Sequence, residues 1–286
     1  NNLLKPSDGG PVAVPSQDMV LGIYYLTQER PGAVGEGKCF KNVNEAILAY
    51  ENQAVTLHSR IKVRVSKTMP DGTVKTGTVE STRFIFNEII PQDLGFVDRE
   101  VEGNELLLEV DFHVGKKQLK QILEKVINTH GSTATAEVLD AVKATGYKYS
   151  TRAAMTVAIA DMTVPPEKPE MIAQAQETVD KITKNFKRGL ITEEERYKEV
   201  VETWKTTDDA LTKVLLDGLD AYNNIFMMAD SGARGSDKQI KQLAGMRGLM
   251  ADTTGRTIEL PIKSNFREGL DVLEYFMSAH GARKGM

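Results

Sequence analysis

Two apolar stripes with coiled-coil spacing, separated by a short turn, constrain the fold of this chain more than any other feature. The first stripe recurs at steps of three and four residues and consists of Met171, Ala175, Val179, Ile182 and Phe186. The second follows the turn and consists of Tyr197, Val201, Trp204, Leu211 and Leu215. Such seams predict an antiparallel coiled-coil hairpin with arms of roughly 30 Å. We expect this hairpin to bury only its own seam and to project from the body.

The turn between the two stripes carries candidate docking residues. Leu190 and Ile191 place apolar side chains at the tip, where their charged neighbours include Arg188 and Glu194. Apolar side chains exposed at a tip favour a role in docking a partner. A purely structural spacer is the alternative interpretation.

A glycine-rich loop at residues 231–236, Ser-Gly-Ala-Arg-Gly-Ser, is a candidate for binding a small anion. Gly232 and Gly235 let the backbone approach a ligand closely, and Arg234 supplies a planar group that is always charged. Ser236 has the position of a helix N-cap, and a helix N-terminus favours a phosphate group. The alternative, which these residues alone favour, is an ordinary surface turn.

The last segment of the chain has a strong helical pattern. Asn265 is a potential cap, and the apolar stripe that follows predicts an amphipathic helix starting near Phe266. The stripe then gives way to glycine and positive charge, in a region that contains His280, Arg283 and Lys284. On these residues alone, His280 is interpreted as an ordinary solvated or core histidine.

Composition limits the class of protein. The chain has 286 residues, of which 41% are hydrophobic and 27% charged, as is ordinary for one large or two small globular domains. Its net charge of -4 argues against a main nucleic-acid-binding surface, which needs a basic excess. The single cysteine, Cys39, excludes an internal disulfide and every cysteine-rich zinc site. No run is long and apolar enough for a membrane span, so we expect a cytoplasmic chain without a membrane partner.

The remaining segments predict a mixture of strands and helices. The expected elements are a helix at 44–52, strands at 55–66 and 73–79 joined by a turn at 70–72, apolar strands at 83–90 and 105–114, and helices at 116–129, 132–146 and 147–160. Thr192 and Glu195 form a capping-box pattern at the second arm of the hairpin.

These elements indicate an α+β, predominantly helical chain, irregular and built of several modules, with a small β hairpin region and the coiled-coil hairpin. The modules that we expect are an opening segment at 1–27, a mixed strand and loop region at 28–114, a helical region at 115–164, the coiled-coil hairpin at 165–222, the glycine-rich loop with a following support loop at 223–263, and the last helix at 264–286.

Four long motifs occur in order along the chain. They are PSQDMVLGIYYLT at 15–27, MADSGARGS at 228–236, QIKQLAGMRGLM at 239–250 and NFREGLDVLEYFMSAHGARKG at 265–285. Together they closely resemble the family of the largest catalytic subunits of bacterial DNA-directed RNA polymerase, called β′. Because an initiating Met is missing and a helical pattern still runs at Met286, we expect an internal segment of such a subunit. It would extend from just after the metal-binding loop, through the secondary-channel region, into the start of the bridge helix.

The resemblance implies roles for individual residues. Arg234 would reach the triphosphate of the incoming nucleotide, and the tip of the hairpin would dock transcript-cleavage and other secondary-channel factors. The periphery of the active centre would include Gln17, Asp18, Gln239 and Arg247, and the bridge helix would include His280, Arg283 and Lys284. For the opening segment the alternative is a local role, in which Ser16 and Asp18 only cap or pin the apolar run that follows.

The resemblance also implies what this segment lacks. The family holds Mg²⁺ with an Asn-Ala-Asp-Phe-Asp-Gly-Asp loop that does not occur here, so we expect neither a catalytic residue nor a metal ligand. The implied partners are the β, α, ω and sigma subunits, DNA template, RNA and nucleoside triphosphates, in a nucleoid-associated enzyme. The alternative function is a non-catalytic interaction module that docks transcription factors through its helical hairpin.

Overall fold

The computed structural model describes the backbone of residues 3–7, 9–69 and 72–285, and side chains in the same ranges as far as residue 279. The chain divides into two compact units. The first comprises Asn1–Met155 and Asp230–Arg234, and the second comprises Thr156–Ala229 and Gly235–Met286. Helices predominate and the described residues form one three-stranded sheet, which confirms the predicted α+β, mostly helical class.

The first unit combines four helices with this sheet in its described part. In chain order its elements are α1 (Asp18–Thr27), β1 (Cys39–Phe40), α2 (Val43–Glu51), β2 (Ile61–Thr68), β3 (Val74–Ser81), α3 (Phe84–Asn87) and α4 (Lys116–Ala153). The predicted helix at 44–52 is confirmed as α2. Its N-cap, Asn42, accepts a hydrogen bond from the Glu45 N–H, which satisfies one free donor of the first turn.

The sheet has the order β1-β2-β3, with β1 parallel to β2 and β2 antiparallel to β3. Val63 is fully buried, pairs with Val79 on β3, and packs with Phe84 in a small core. The predicted β hairpin is therefore confirmed, although its first strand begins six residues later than expected. Pro70 and Asp71 of the predicted turn lie outside the described residues.

Helices α1 and α4 cross closely at two glycines. A Cβ atom on Gly22 would lie 1.8 Å from the carbonyl oxygen of Gly146, and one on Gly146 would lie 2.5 Å from the carbonyl oxygen of Met19. No side chain fits between the two backbones at this crossing. The main core of the unit surrounds it and consists of Val20, Ile23, Leu26, Phe86, Ile90, Leu94, Val110, Val114, Leu119, Ile122, Leu123, Val126, Val138, Val142 and Tyr149.

Helix α4 is interrupted at Gly131, whose φ of 78° lies in the left-handed region. The predicted helix at 116–129 is confirmed as the first part of α4. The predicted helix end at Gly146 is wrong, because this glycine serves the crossing with α1 and the helix continues through it. The expected continuation to residue 160 is also wrong, since Ala154 takes a left-handed conformation with φ 48° and ends the helix.

The two predicted strands at 83–90 and 105–114 are wrong. The first segment contains the helical turn α3, and the second has no regular secondary structure. The buried side chain of Asn87 replaces the strand pairing: its Nδ2 donates to the Val110 carbonyl at 2.8 Å, and its Oδ1 accepts from the Val110 N–H at 3.0 Å. A side-chain amide thus satisfies backbone groups that a neighbouring strand would otherwise pair.

The second unit is helical in its described part. Its elements are a short 3₁₀ turn (Ile159–Asp161), α5 (Lys168–Lys187), α6 (Glu193–Gly218), α7 (Asn224–Asp230, whose last residue belongs to the first unit), α8 (Asp237–Ala244) and α9 (Val272–Gly285). None of the described helices has both the length and the apolar character that crossing a membrane requires.

Helices α5 and α6 pack together as the predicted hairpin. Their buried seam, with one residue from outside the hairpin, consists of Ala175, Ile182, Val200, Trp204, Leu211 and Met246. Two predicted seam positions are wrong. Phe186 is 36% exposed, and Val200 is buried in place of its half-buried neighbour Val201, whereas the predicted positions Trp204, Leu211 and Leu215 are buried.

Two polar features of α6 explain where the helix starts and why its apolar stripe is interrupted. The predicted capping box is confirmed, since Thr192 Oγ1 accepts from the Glu195 N–H and Glu195 Oε2 accepts from the Thr192 N–H at 2.8 Å. Asp208, which interrupts the apolar stripe, forms an ion pair with Lys241 of α8. Burial raises the pKa of Asp208, and the Lys241 ammonium opposes that shift. The interruption therefore joins two helices rather than weakening one.

Residues 246–263, which we call the strap, run along the hairpin. Met246 is buried in the hairpin core. The Tyr197 hydroxyl donates to the Thr257 carbonyl at 2.7 Å, and the Lys263 ammonium lies 5.2 Å from the centroid of the Trp204 ring. The expectation that the hairpin buries only its own seam is therefore wrong.

The last helix begins later than predicted. Helix α9 starts at Val272 rather than near Phe266, because Gly269 takes a φ of 87° and breaks the helical path. A reciprocal cap then starts the helix: the Asp271 carboxylate accepts from the Glu274 N–H at 2.7 Å, and Glu274 accepts from the Asp271 N–H at 3.1 Å.

Candidate functional site

Segment 230–234, Asp-Ser-Gly-Ala-Arg, belongs to the first unit and consists of the last residue of α7 and the first four residues of the glycine-rich loop. The Tyr24 hydroxyl of α1 donates to the Asp230 carboxylate at 2.7 Å. The Ser231 carbonyl accepts from the Lys116 N–H, at the start of α4, at 2.9 Å. Ala233 packs against the main core. The loop is thus attached to both of the helices that cross at the paired glycines.

A tight turn follows these attachments. Gly232 has a φ of 73°, and a Cβ atom there would lie 3.1 Å from the Cβ of Lys116. The Ala233 N–H donates to the Ser231 hydroxyl at 3.2 Å, which closes the turn. Glycine is required at position 232 for both its backbone angle and the space beside α4.

Arg234 is exposed, and its guanidinium forms no hydrogen bond or ion pair with any residue that the structure describes. A guanidinium presents five N–H donors in one plane, a geometry that matches two oxygens of a phosphate or carboxylate. Lys116, whose side chain lies against Gly232, is a second exposed cation beside the loop. An anchored loop therefore presents positive charge that is free to bind an external anion.

The Tyr24 side chain provides the polar contact that attaches the loop to α1. Burial, together with the hydrogen bond to Asp230, raises the pKa of Tyr24, so its hydroxyl remains a donor at neutral pH. The His113 ring lies 4.0 Å from the Tyr24 ring, centroid to centroid, and its Nε2 is 3.0 Å from the Tyr24 carbonyl oxygen. Burial lowers the pKa of His113, so at neutral pH the ring is neutral and donates from Nε2.

Gln17 and Asp18 lie at the N-terminus of α1, seven and six residues before Tyr24, and Asp18 is about 9 Å from Tyr24 along the helix. Both side chains are exposed. Gln17 is the N-cap residue, with φ 49° and ψ -123°, and α1 has no side-chain hydrogen bond at its cap. The capping part of the alternative for Ser16 and Asp18 is therefore wrong, and the exposed side chains of Gln17 and Asp18 are accessible to a ligand.

The two other residues predicted at the periphery, Gln239 and Arg247, belong to the second unit. Gln239 is exposed on α8. Arg247 is partly buried in the strap, where its guanidinium lies 5.0 Å from the Phe266 ring centroid. Its Nε is buried and has no hydrogen-bond partner among the described residues. Arg247 thus lies against an aromatic ring, while the Gln239 side chain is exposed to solvent.

The predicted bridge-helix residues His280, Arg283 and Lys284 lie within the backbone of α9. Their side chains fall outside the described residues.

The tip of the hairpin presents fewer apolar side chains than expected. Leu190 is 69% exposed and Arg188 is exposed beside it, without an ion pair among the described residues. Ile191, predicted to be exposed, is half-buried against the hairpin core. Glu194 pairs with Lys198 at 3.0 Å on the solvated face. One apolar side chain and one free arginine therefore remain as the docking features.

Sequence reasoning missed Tyr24, His113 and Asp230. Tyr24 lies in an apolar run in which most of its neighbours are buried, and a buried hydroxyl needs a hydrogen-bond partner. The buried hydroxyl predicts that a hydrogen-bond partner exists but does not identify it, because Asp230 is 206 residues away in the chain. No group of three or more His, Cys, Asp or Glu side chains able to hold a metal ion occurs in the part of the chain that the structure describes.

Two family models match the chain. Residues 2–162 match the model described as RNA polymerase Rpb1, domain 3, and residues 191–267 match RNA polymerase Rpb1, domain 4. The first match alone covers more than half of the chain.

Curated relatives match it from end to end. A protein named DNA-directed RNA polymerase subunit beta' from Lachnoclostridium phytofermentans is 73% identical over 288 residues, which cover 100% of this chain and 23% of the relative. Proteins of the same name from Clostridium acetobutylicum and Acetivibrio thermocellus are 58% and 56% identical, cover 100% of this chain, and are themselves covered over 24% and 25% of their length. The chain thus spans about a quarter of the length of these relatives.

Proposed function

Because this chain belongs to the RNA polymerase Rpb1 family, among the bacterial β′ subunits, we propose that it forms part of the catalytic subunit of a DNA-directed RNA polymerase. Its place would be along the secondary channel, through which nucleotides reach the active centre. Gln17, Asp18, Gln239 and Arg247 would lie at the periphery of that centre. Helix α9, with His280, Arg283 and Lys284, would begin the bridge helix.

Within this function, Arg234 binds the triphosphate of the incoming nucleotide. The observation that carries this assignment is the exposed guanidinium of Arg234, without a partner among the described residues, on a loop attached to α1 and α4. A cation on an anchored loop binds phosphate without first breaking an internal ion pair or ordering the backbone. The guanidinium would orient the leaving group and offset its charge.

The chemistry of nucleotide addition needs further parts of the polymerase. Two Mg²⁺ ions held by carboxylates supply the metal chemistry of such a reaction. The described residues do not fit a metal site, so the ligands would lie elsewhere in the longer subunit. The β, α, ω and sigma subunits, DNA and RNA would be the partners of the assembled enzyme, which would act at the nucleoid.

The test is Arg234→Ala in the whole polymerase. Loss of a hydrogen-bonded charge pair should raise the KM for all four nucleotides by about tenfold or more, with a smaller decrease in kcat. Arg234→Lys should give an intermediate KM, because an ammonium lacks the planar fork. Arg64→Ala, which removes an exposed arginine on β2, is the matched control. An unchanged KM in Arg234→Ala would refute this role.

A second function, docking of transcript-cleavage and related factors, is supported by the tip of the hairpin. Leu190 is 69% exposed beside Arg188, which is free of ion pairs among the described residues. We expect Leu190→Ser to weaken binding of a transcript-cleavage factor to the whole polymerase in a titration, and Arg234→Ala to leave it unchanged. Equal binding by the Leu190→Ser enzyme and the unsubstituted enzyme would refute docking at the tip.

A further inference from the structure

We propose that Tyr24 is a positioning residue for Arg234, and that it acts by binding the Asp230 carboxylate and keeping it away from the arginine. The inference rests on the proposed function of Arg234 and adds a second residue to it. In this role Tyr24 acts through Asp230 and Arg234 rather than by contacting the nucleotide.

Asp230 is an anion placed close to Arg234 in the chain. Asp230, the last residue of α7, lies four residues before Arg234, where the loop begins. Between them Gly232 has a φ of 73°, and just after them Gly235 has a φ of 93°, so left-handed backbone lies on both sides of Arg234. A carboxylate four residues from a guanidinium is a nearby acceptor for it, and a charge-assisted hydrogen bond between them would occupy the arginine.

The Asp230 carboxylate is bound by a hydrogen-bond donor on α1. The Tyr24 hydroxyl lies 2.7 Å from Asp230 Oδ2, a distance typical of a strong hydrogen bond to a charged acceptor. Arg234 makes no ion pair within the described part of the chain. The carboxylate is therefore bound to the tyrosine while the guanidinium stays available.

The Tyr24 side chain is itself held in place by its neighbours. Its residue is 4% exposed, its ring packs on His113, and its carbonyl oxygen is 3.0 Å from His113 Nε2. Helix α1 that carries it is fixed against α4 by the glycine crossing, and α4 also holds the Ser231 carbonyl through the Lys116 N–H. Tyr24 and the loop are thus both held by the packed pair of helices α1 and α4. The position of the Tyr24 hydroxyl relative to Asp230 is therefore well defined.

The test is Tyr24→Phe in the whole polymerase, which removes only the hydroxyl. Asp230 is then free to pair with Arg234, and the KM for all four nucleotides should rise roughly two- to tenfold while kcat changes little. Tyr25→Phe is the matched control, because Tyr25 is the next residue on the same helix and its ring packs edge-on against His58. This control should leave the KM unchanged.

The double variant Tyr24→Phe/Asp230→Asn separates positioning from simple loosening of the fold. Removal of the competing charge should return the KM towards that of the unsubstituted enzyme, whereas a purely structural defect would persist or worsen. The proposal is overturned if Tyr24→Phe behaves like Tyr25→Phe, or if Asp230→Asn gives no recovery. Arg234→Ala measured in parallel identifies the other failure: without a KM effect there, the triphosphate role itself is wrong.

Discussion

The crossing of α1 and α4 leads to a stringent prediction, because Gly22→Ala adds one methyl group where no space exists. The new Cβ would stand 1.8 Å from the Gly146 carbonyl oxygen, whereas real Cβ contacts essentially never fall below 3.0 Å. The helices would therefore have to separate by the difference, at least 1.2 Å. Such a displacement cannot be absorbed by a rotamer change, since the atom in the way is backbone.

The expected cost follows from the packing that this separation disturbs. A gap of about 1 Å forfeits roughly a quarter to a half of the dispersion attraction at a contact. Overpacking of a core by a methyl group costs about 1–3 kcal/mol or more. Alanine returns about 1 kcal/mol because it favours the helix more than glycine does. We expect the free energy of unfolding of the first unit to fall by about 2 kcal/mol.

Urea-induced unfolding followed by circular dichroism measures this change, and hydrogen exchange of the α1 and α4 amides assigns it to the crossing. The matched control is Gly218→Ala at the end of α6, where an added Cβ meets no atom within 4 Å. That variant should be neutral or slightly more stable. If Gly22→Ala is as stable as the unsubstituted chain and the α1 amides exchange no faster, the close approach does not constrain the fold.

Two further predictions concern charge. Asp208→Leu leaves Lys241 without its partner in a largely buried position and should lower the free energy of unfolding of the second unit by about 3 kcal/mol, while Asp208→Leu/Lys241→Met recovers most of that loss in urea unfolding. For His113, burial lowers the pKa in the folded state, so its contribution to stability is complete above about pH 6.5 and decreases as the unfolded chain takes up a proton at lower pH. Denaturation between pH 7.5 and 5.5 should therefore show a steeper loss of stability in the unsubstituted chain than in His113→Asn.

Each of these two predictions has a clear contrary result. For the ion pair, the comparison is Glu177→Ala, which breaks an exposed pair with Lys181 and should cost about 0.5 kcal/mol or less. An equal loss in the Asp208 and Glu177 variants would contradict the assigned role of burial. For His113, parallel pH profiles in the two chains would show that its protonation is not linked to folding.

The elements that sequence predicts well are those set by local periodicity. The seams of α5 and α6, the capping box at Thr192 and the first part of α4 follow from apolar spacing and cap chemistry within a few residues. The errors arise where a distant contact overrides that local signal. Residues 105–114 are apolar enough for a strand, but Asn87 binds the backbone of Val110 and removes the need for strand pairing.

The same reasoning applies to the candidate site. Arg234 is recognisable from sequence because glycines flank a residue that is always charged. Its attachment is not, since Tyr24 and Asp230 are joined only by the folded chain. Gly146 is an example in which the local signal is misleading. Glycine is a common helix terminator, and only the proximity of Met19 explains why Gly146 lies inside a helix here.

Because Trp204 is buried in the hairpin core, its fluorescence reports on the state of the hairpin. The chain contains a single tryptophan, so its indole emission has one source. That indole is 2% exposed in the hairpin core, with the Lys263 ammonium of the strap above its ring. Emission from so apolar an enclosure lies at short wavelength, and release of the strap would admit water and shift it to longer wavelength. Trp204 is thus an intrinsic fluorescent probe of the hairpin. It reports whether the strap is packed against the hairpin, and no added dye is needed.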